Sequence, residues 1–362
     1  MQRKIHVAYG GDILKTTRFL LEQSGAIDCF PEGASVALKP NLVVGRPADG
    51  GATTHIQIVQ ALIEFLFDHN RRDVTIIEGS WVGDDTRRAF AACGFDDISR
   101  RYGVPLFDLK RDSYTAVDTP IGKIKVCDRA RGADCLVNLP VLKGHCQTVM
   151  TCALKNMKGC IPDSEKRRFH SLGLTEPIAA LNTALRPVLH VVDGICGDLN
   201  FEEGGNPVLQ ERVFLGVDPV MIDAFGCSLM GVDPRDVGYI ELAQHYGAGS
   251  MAFTPQDIVL HNQPQTHRSA MRQSGQVARL AKCVKACDAC SACYGSLIHA
   301  LARLDEEGLL GYAPKIAIGQ GMRGVPFDGV GVGRCCDQAK IKIPGCPPSA
   351  AAILQTLRDQ LK

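Results

Sequence analysis

Apolar residues recur along the first two thirds of the chain in two alternating patterns. Short β-branched runs, Ser35-Val36-Ala37-Leu38 and Val74-Thr75-Ile76-Ile77, are nearly continuous, as strands buried on both faces require. Between and after them the spacing changes: Ile56, Val59, Leu62, Ile63 and Leu66 repeat with a 3.6-residue period, which predicts a helix over 56–67, and another is expected over 86–93. Strands resume at Cys135-Leu136-Val137-Asn138 and Val188-Leu189-His190-Val191-Val192, with helices expected over 149–156 and 176–185. Asp218-Pro219 opens a further helix, Asp218 as N-cap and Pro219 at the first helical position, running to about Gly231. This βαβ grammar predicts an α/β fold with a three-layer, mostly parallel sheet core over residues 1–262.

The pattern breaks after His261, where Asn262, Gln263, Pro264, Gln265, Thr266, His267 and Arg268 form a polar stretch. Residues 263–280 therefore read as a linker. Beyond it, residues 281–362 carry their own smaller α/β pattern: a cysteine turn, a helix over 294–306, strands at Lys315-Ile316-Ala317-Ile318 and Val330-Gly331-Val332, and a closing helix over 349–361. No internal repeat accompanies either part.

Composition narrows the class. The 362 residues are 45% hydrophobic and 22% charged with a formal charge of +1, which describes an ordinary globule without a global bias toward nucleic acid or anionic membrane. The N-terminus lacks the apolar core and cleavage site of a secretory signal, and no apolar run reaches the ~18 residues a membrane span needs. A cytoplasmic protein is expected. Its 16 cysteines suit a reducing, oxygen-poor, anaerobic interior better than a disulfide scaffold.

Cysteine placement adds chemistry. The last eighty residues hold Cys283, Cys287, Cys290, Cys293, Cys335, Cys336 and Cys346. Cys290 and Cys293 stand just before a predicted helix, Cys335 and Cys346 just after predicted strands, so four thiolates can converge at one sheet edge as ligands of a 4Fe-4S cluster. Structural zinc is the alternative, though zinc ribbons usually pair two Cys-x-x-Cys knuckles. Cys336 can stand in for Cys335. Cys283 and Cys287, four residues apart, either serve a second metal or lie inert on one helix face, and inert is preferred. The other cysteines, including Cys29, Cys93, Cys127, Cys135 and Cys227, read as small buried hydrophobes.

A second constellation lies in the larger part. Lys143-Gly144-His145, Lys155-Asn156 and His170 follow the strand at Cys135, and Lys39-Pro40-Asn41 ends an earlier one. By the strand-end rule these groups share a crevice in which Lys39, Lys143, Lys155 and His170 suit a carboxylate or phosphate, with His145 placed for proton transfer and Asn41 and Asn156 lining it. Glu78-Gly79-Ser80 and Asp193-Gly194 also follow strands, so Glu78, Ser80 and Asp193 either line the crevice or cap the next helix. Lys166, Arg167 and Arg168 read as a mobile surface loop. No Walker motif and no complete dinucleotide fingerprint is present.

Two resemblances follow from these residues. Pro344-Gly345-Cys346-Pro347-Pro348, with a Cys-x-x-Cys before a helix, resembles the cluster-binding segment of the hydrogenase small subunit and of its relative in respiratory complex I, over this module alone. The ordered series Lys39-Pro40-Asn41-Leu42, Thr53-Thr54, Glu78-Gly79-Ser80, Lys143-Gly144-His145, Leu154-Lys155-Asn156, His170, Val192-Asp193-Gly194 and Gly216-Val217-Asp218-Pro219 resembles the family catalogued as domain of unknown function 362, over roughly residues 35–250. That resemblance implies an α/β domain often joined to iron–sulfur modules in anaerobic microbes. Many relatives carry a ferredoxin-type Cys-x-x-Cys-x-x-Cys repeat, from which this chain departs.

The functional expectation is an iron–sulfur oxidoreductase: a reductase that binds a small anionic substrate in the Lys/His crevice beside a 4Fe-4S cluster and takes electrons from a ferredoxin or flavodoxin-like donor. An electron-transfer or cofactor-maturation protein is the first alternative, and a non-redox lyase or transferase with a structural or oxygen-sensing cluster the second. A homodimer is compatible with the sequence.

Overall fold

The computed structural model describes residues 1–199, 202, 204, 207–264, 276–289 and 291–361. The chain divides into two units: residues Met1–Lys166 with Leu174–Gln273, and Arg167–Gly173 with Ser274–Lys362.

Among the described residues, twelve strands build the first unit: β1 (Ile5–Tyr9), β2 (Val36–Pro40), β3 (Val74–Glu78), β4 (Leu106–Asp108), β5 (Tyr114–Thr119), β6 (Gly122–Cys127), β7 (Cys135–Leu139), β8 (Lys143–His145), β9 (Val149–Thr151), β10 (Leu189–Asp198), β11 (Pro207–Gly216) and β12 (Ile258–Leu260). Eight of them form one sheet in the order β12-β1-β11-β10-β7-β2-β3-β4. All neighbours are parallel except β11, which runs antiparallel between β1 and β10. The expected α/β core with a mostly parallel sheet is therefore present. β2, β7 and β10 are buried along their whole length, which is why they read as continuous apolar runs.

The helix Ile56–Asp68 buries Ile58, Val59, Leu62, Ile63 and Leu66 against this sheet, in the core that also holds Leu38, Ile76, Val137 and Val191. The helix Pro219–Met230 starts where its cap dictates: the Asp218 carboxylate accepts from Val220 N at 2.9 Å and Met221 N at 3.0 Å.

One expected helix is different. Residues 149–156 divide into β9 and a single helical turn, Ala153–Asn156. Val149 takes φ 68° at the end of the β8–β9 turn, a backbone state no helix contains. The turn begins only where Asp223, reaching from another helix, accepts from Ala153 N at 2.6 Å and Leu154 N at 3.2 Å. Burial pushes the Asp223 carboxyl up to about 7.

The second unit is a four-stranded parallel sheet, β13 (Val284–Ala286), β14 (Ile316–Ile318), β15 (Phe327–Val332) and β16 (Ala339–Ile343), in that order. The helices Ser291–Glu306 and Ala350–Asp359 accompany it, the latter capped by Ser349 Oγ accepting from Ala352 N at 3.1 Å. Within the expected linker, residues 265–275 lie outside the described residues, and the short helix Gln276–Leu280 follows them. Cys283 and Cys287 do not share a helix: β-branched Val284 opens β13 between them, paired with Ile316.

Candidate functional site

Register fixes the first group of polar residues. Lys39 on β2 pairs with Asn138 on β7, and Asn138 pairs with His190 on β10, so three polar side chains stand in one row across the sheet. Lys39 Nζ donates to Glu78 Oε2 at 2.9 Å, to Pro40 O at 2.8 Å and to Asn156 Oδ1 at 3.1 Å. Asn156 Nδ2 donates to Asn138 Oδ1 at 2.7 Å, and Asn138 Nδ2 lies 3.0 Å from His190 Nδ1. Glu78 also accepts from Leu42 N at 3.0 Å and Gly79 N at 2.7 Å. Burial pushes His190 down to about 4, so the ring is neutral at the end of this chain, and among the described residues its Nε2 has no hydrogen-bond partner. Gly159 closes over the ion pair so tightly that an added Cβ would sit within 2.6 Å of Lys39 Nζ.

The second group surrounds a carboxylate that the spacing did not reveal. Lys155 Nζ donates to Glu202 Oε1 at 2.7 Å and to Thr151 Oγ1 at 3.1 Å. His145 Nδ1 accepts from Gln147 N at 3.1 Å and Thr148 N at 3.0 Å, which assigns the ring proton to Nε2, and Nε2 donates to Glu202 Oε2 at 3.0 Å. Lys143 Nζ reaches the Glu202 carbonyl at 2.9 Å and Ala52 O at 2.5 Å. Burial pushes His145 down to about 4, with the Lys155 ammonium adding to the effect against Glu202. For Glu202 itself burial acts the other way, but Lys155 and His145 hold its carboxyl well below the ordinary value. The side chains of His145 and Lys155 are 0% and 2% exposed and that of Glu202 13%.

Asp193 belongs to neither group. Its Oδ2 accepts from His55 N at 2.7 Å and His55 Nδ1 at 2.8 Å, and its Oδ1 from Ile195 N at 3.1 Å. Burial works against a charged His55, but the Asp193 carboxylate outweighs it and lifts the imidazole to about 11.

The expected crevice residues thus divide. Lys39, Glu78 and Asn156 meet in one cluster, and Lys143, His145 and Lys155 in another. Ser80 Oγ instead pairs with Thr86 Oγ1 at 3.1 Å, while Asn41 Oδ1 accepts from Val43 N at 3.4 Å. His170 falls in the segment Arg167–Gly173, outside the first unit. Lys166 is not on a mobile loop. It lies in the helix Asp163–Ser171 at 4% exposure, donating to Gly79 O at 3.0 Å and Ser80 O at 2.8 Å, and burial lowers its ammonium from the ordinary range. Glu202, His55 and His190 are functional candidates that sequence reasoning missed, while Asn138 stood at the head of the Lys143-His145 stretch without a role of its own. Only Thr53-Thr54, directly before His55, flagged that neighbourhood.

In the second unit the residues 333–338 that join β15 to β16 carry Cys335 and Cys336. Cys336 faces inward, Sγ 3.3 Å from Ala317 O in a small core with Met322 and Ala339. Arg334 N donates to Gly345 O at 3.0 Å, tying the Cys335 turn to the Cys346 turn. Gly333, at φ 88°, lies against Cys293: an added Cβ would be 3.3 Å from its Sγ. Cys290 lies outside the described residues. Among the described residues, no group of three or more His, Cys, Asp or Glu is placed to hold a metal ion. No helix of the described residues is long and apolar enough to cross a membrane.

Fold and clusters define an α/β protein with buried histidine–carboxylate sites at its strand ends. The family model described as Domain of unknown function (DUF362) matches residues 36–228, more than half of the chain, and the chain belongs to that family. The three clusters of the first unit all lie inside the matched span. The Thylakoid-associated protein sll1697 of Synechocystis sp. is 24% identical over 271 residues, covering 70% of this chain and 83% of that protein. Two solved structures are similar in part: the lactate racemase apoprotein from Thermoanaerobacterium thermosaccharolyticum (14% identity, TM-score 0.43, 62% of this chain and 56% of that one) and a protein from Thermotoga maritima (13%, TM-score 0.40, 66% and 60%). The chain spans less than two thirds of either.

Proposed function

We propose that this protein is an iron–sulfur reductase that binds a small carboxylate in its first unit. The observation that carries the proposal is the seat around Glu202. One ammonium group and a neutral imidazole already hold a carboxylate there, Lys155 and His145 each taking one of its oxygens, while the Lys143 ammonium stands beside it on the Glu202 backbone carbonyl. A substrate carboxylate in place of Glu202 would meet the same donors. Lys155 and Lys143 would fix it electrostatically, and His145, with its proton on Nε2, would supply a hydrogen bond or the proton itself.

Cys290, Cys293, Cys335 and Cys346 would hold a 4Fe-4S cluster, which when bound supplies single electrons. Support comes from the tie between the Cys335 and Cys346 turns, the packing of Cys293 on Gly333, and the burial of Cys336, which leaves Cys335 as the candidate. A ferredoxin or flavodoxin-like partner would be the electron donor.

The test is an anaerobic preparation with iron, sulfide and electron paramagnetic resonance measured on the intact chain and on Cys346→Ser. The proposal predicts about four irons per chain, lost in the variant, and carboxylate binding lost in Lys155→Met with iron retained. Zinc in place of iron would remove the redox reading while leaving the carboxylate seat standing.

A further inference from the structure

Nine of the cysteines lie in the first unit, and most behave as small apolar groups. Burial pushes the thiols of Cys127, Cys135, Cys152 and Cys227 up. Cys196 differs in what it faces. Its Sγ lies 3.9 Å from His55 Nε2, with the carbonyls of Ala48 and Asp49 at 3.5 and 3.8 Å as its other polar neighbours. The β10–β11 register shifts between Gly194 and Cys196, skipping Ile195, and resumes with Cys196 paired to Leu209.

His55 is fixed by construction. It caps the helix Ile56–Asp68, and both its backbone N and its Nδ1 donate to one buried oxygen of Asp193. The ring can then only present Nε2 to the sulfur. Nucleophile, imidazolium and orienting carboxylate stand in the order of a thiolate–imidazolium ion pair, the sulfur–nitrogen distance being of the loose kind seen before substrate binds. Cys196 is 6% exposed, and the neighbouring Asp49, which approaches His55 Nε2 at 3.5 Å, has a side chain 96% exposed, so the pair lies just beneath the surface.

We propose that Cys196, His55 and Asp193 form a nucleophilic triad that accepts an acyl group from an acyl thioester. In the ion-pair form the Cys196 thiolate attacks the carbonyl carbon. The new S–C bond forms and the bond to the departing thiolate breaks; that thiolate leaves as the anion while His55 keeps its Nε2 proton, so the negative charge passes from Cys196 to the leaving group and an acyl group remains on Cys196. No electrons are exchanged. Disulfide exchange would need a second thiol, whereas the polar neighbours of Cys196 among the described residues are His55 and the carbonyls of Ala48 and Asp49.

The intact protein, purified anaerobically, is treated at pH 7 with iodoacetamide and mapped by mass spectrometry, and in parallel with S-phenyl thioacetate. The triad predicts that Cys196 alkylates at least tenfold faster than the more exposed Cys29 and Cys93, that His55→Gln removes the advantage, and that one acetyl group lands on Cys196 and is absent in Cys196→Ser. The wild-type ratio needs no variant to fold. A Cys196 rate no greater than that of Cys29 and Cys93 overturns the triad, and fast alkylation with no acetyl transfer overturns the acyl assignment.

Discussion

His55 and His145 both meet a buried carboxylate within 3.0 Å, yet the first is held charged, at about 11, and the second neutral, at about 4. Burial disfavours the charged ring in both. The difference lies in who else serves the carboxylate. Asp193 accepts two backbone N–H groups and has His55 as its cation partner, so the pair is ionic. Glu202 already has the Lys155 ammonium, and a second cation beside it would be repelled. A histidine–carboxylate distance alone therefore does not give the charge of the histidine; the full set of donors around the carboxylate does.

The largest effect should come from Asp193→Asn. Removing the carboxylate strands His55, and its pKa should fall from about 11 to below the ordinary 6.5, with about 3–5 kcal/mol of stability lost, read by urea denaturation and by NMR titration of the ring. Lys155→Met breaks the comparison from the other side. Glu202 would then have His145 as its nearest cation, and the His145 pKa should climb from about 4 to above 6.5, at a cost of about 3 kcal/mol. A His145 resonance that stays neutral at pH 6 in this variant would refute the explanation.

The two histidines should also give opposite pH limbs. His145 has a folded pKa below its unfolded 6.5, so its contribution is intact above 6.5 and is lost as pH falls toward 4, about 3 kcal/mol in full. His190 should add a similar acid loss. His55 has a raised folded pKa, so its contribution is complete below 6.5 and disappears as pH rises toward 11. Stability curves of His145→Gln and His55→Gln should flatten on the acid and alkaline sides respectively. The smallest effect is expected from Gly159→Ala, which touches neither pair but crowds Lys39 and Glu78, costing about 1–3 kcal/mol with both ring titrations unmoved.

Much of the frame was legible because it is local. The apolar runs of β2, β7 and β10 and the Asp218-Pro219 helix start depend on residues a few positions apart. Strand direction is not local, and nothing in the period of β11 distinguishes it from its parallel neighbours. The site shows the same limit. Lys39, Lys143, His145 and Lys155 were visible at strand ends, but the acidic residues that sort them are 39 to 59 positions away, and His55 and Asp193 are separated by 138. Lys166 looked like part of a surface charge run because Arg167 and Arg168 follow it, while the carbonyls of Gly79 and Ser80 that bury it come from the far side of β4 in the chain.

The carboxylate seat is tested most directly by emptying it of its own carboxylate. Calorimetric titration of Glu202→Gln and wild type with small mono- and dicarboxylates should show binding at least tenfold tighter in the variant, abolished again when Lys155→Met is added. A folded Glu202→Gln protein that binds no carboxylate better than wild type would contradict the account.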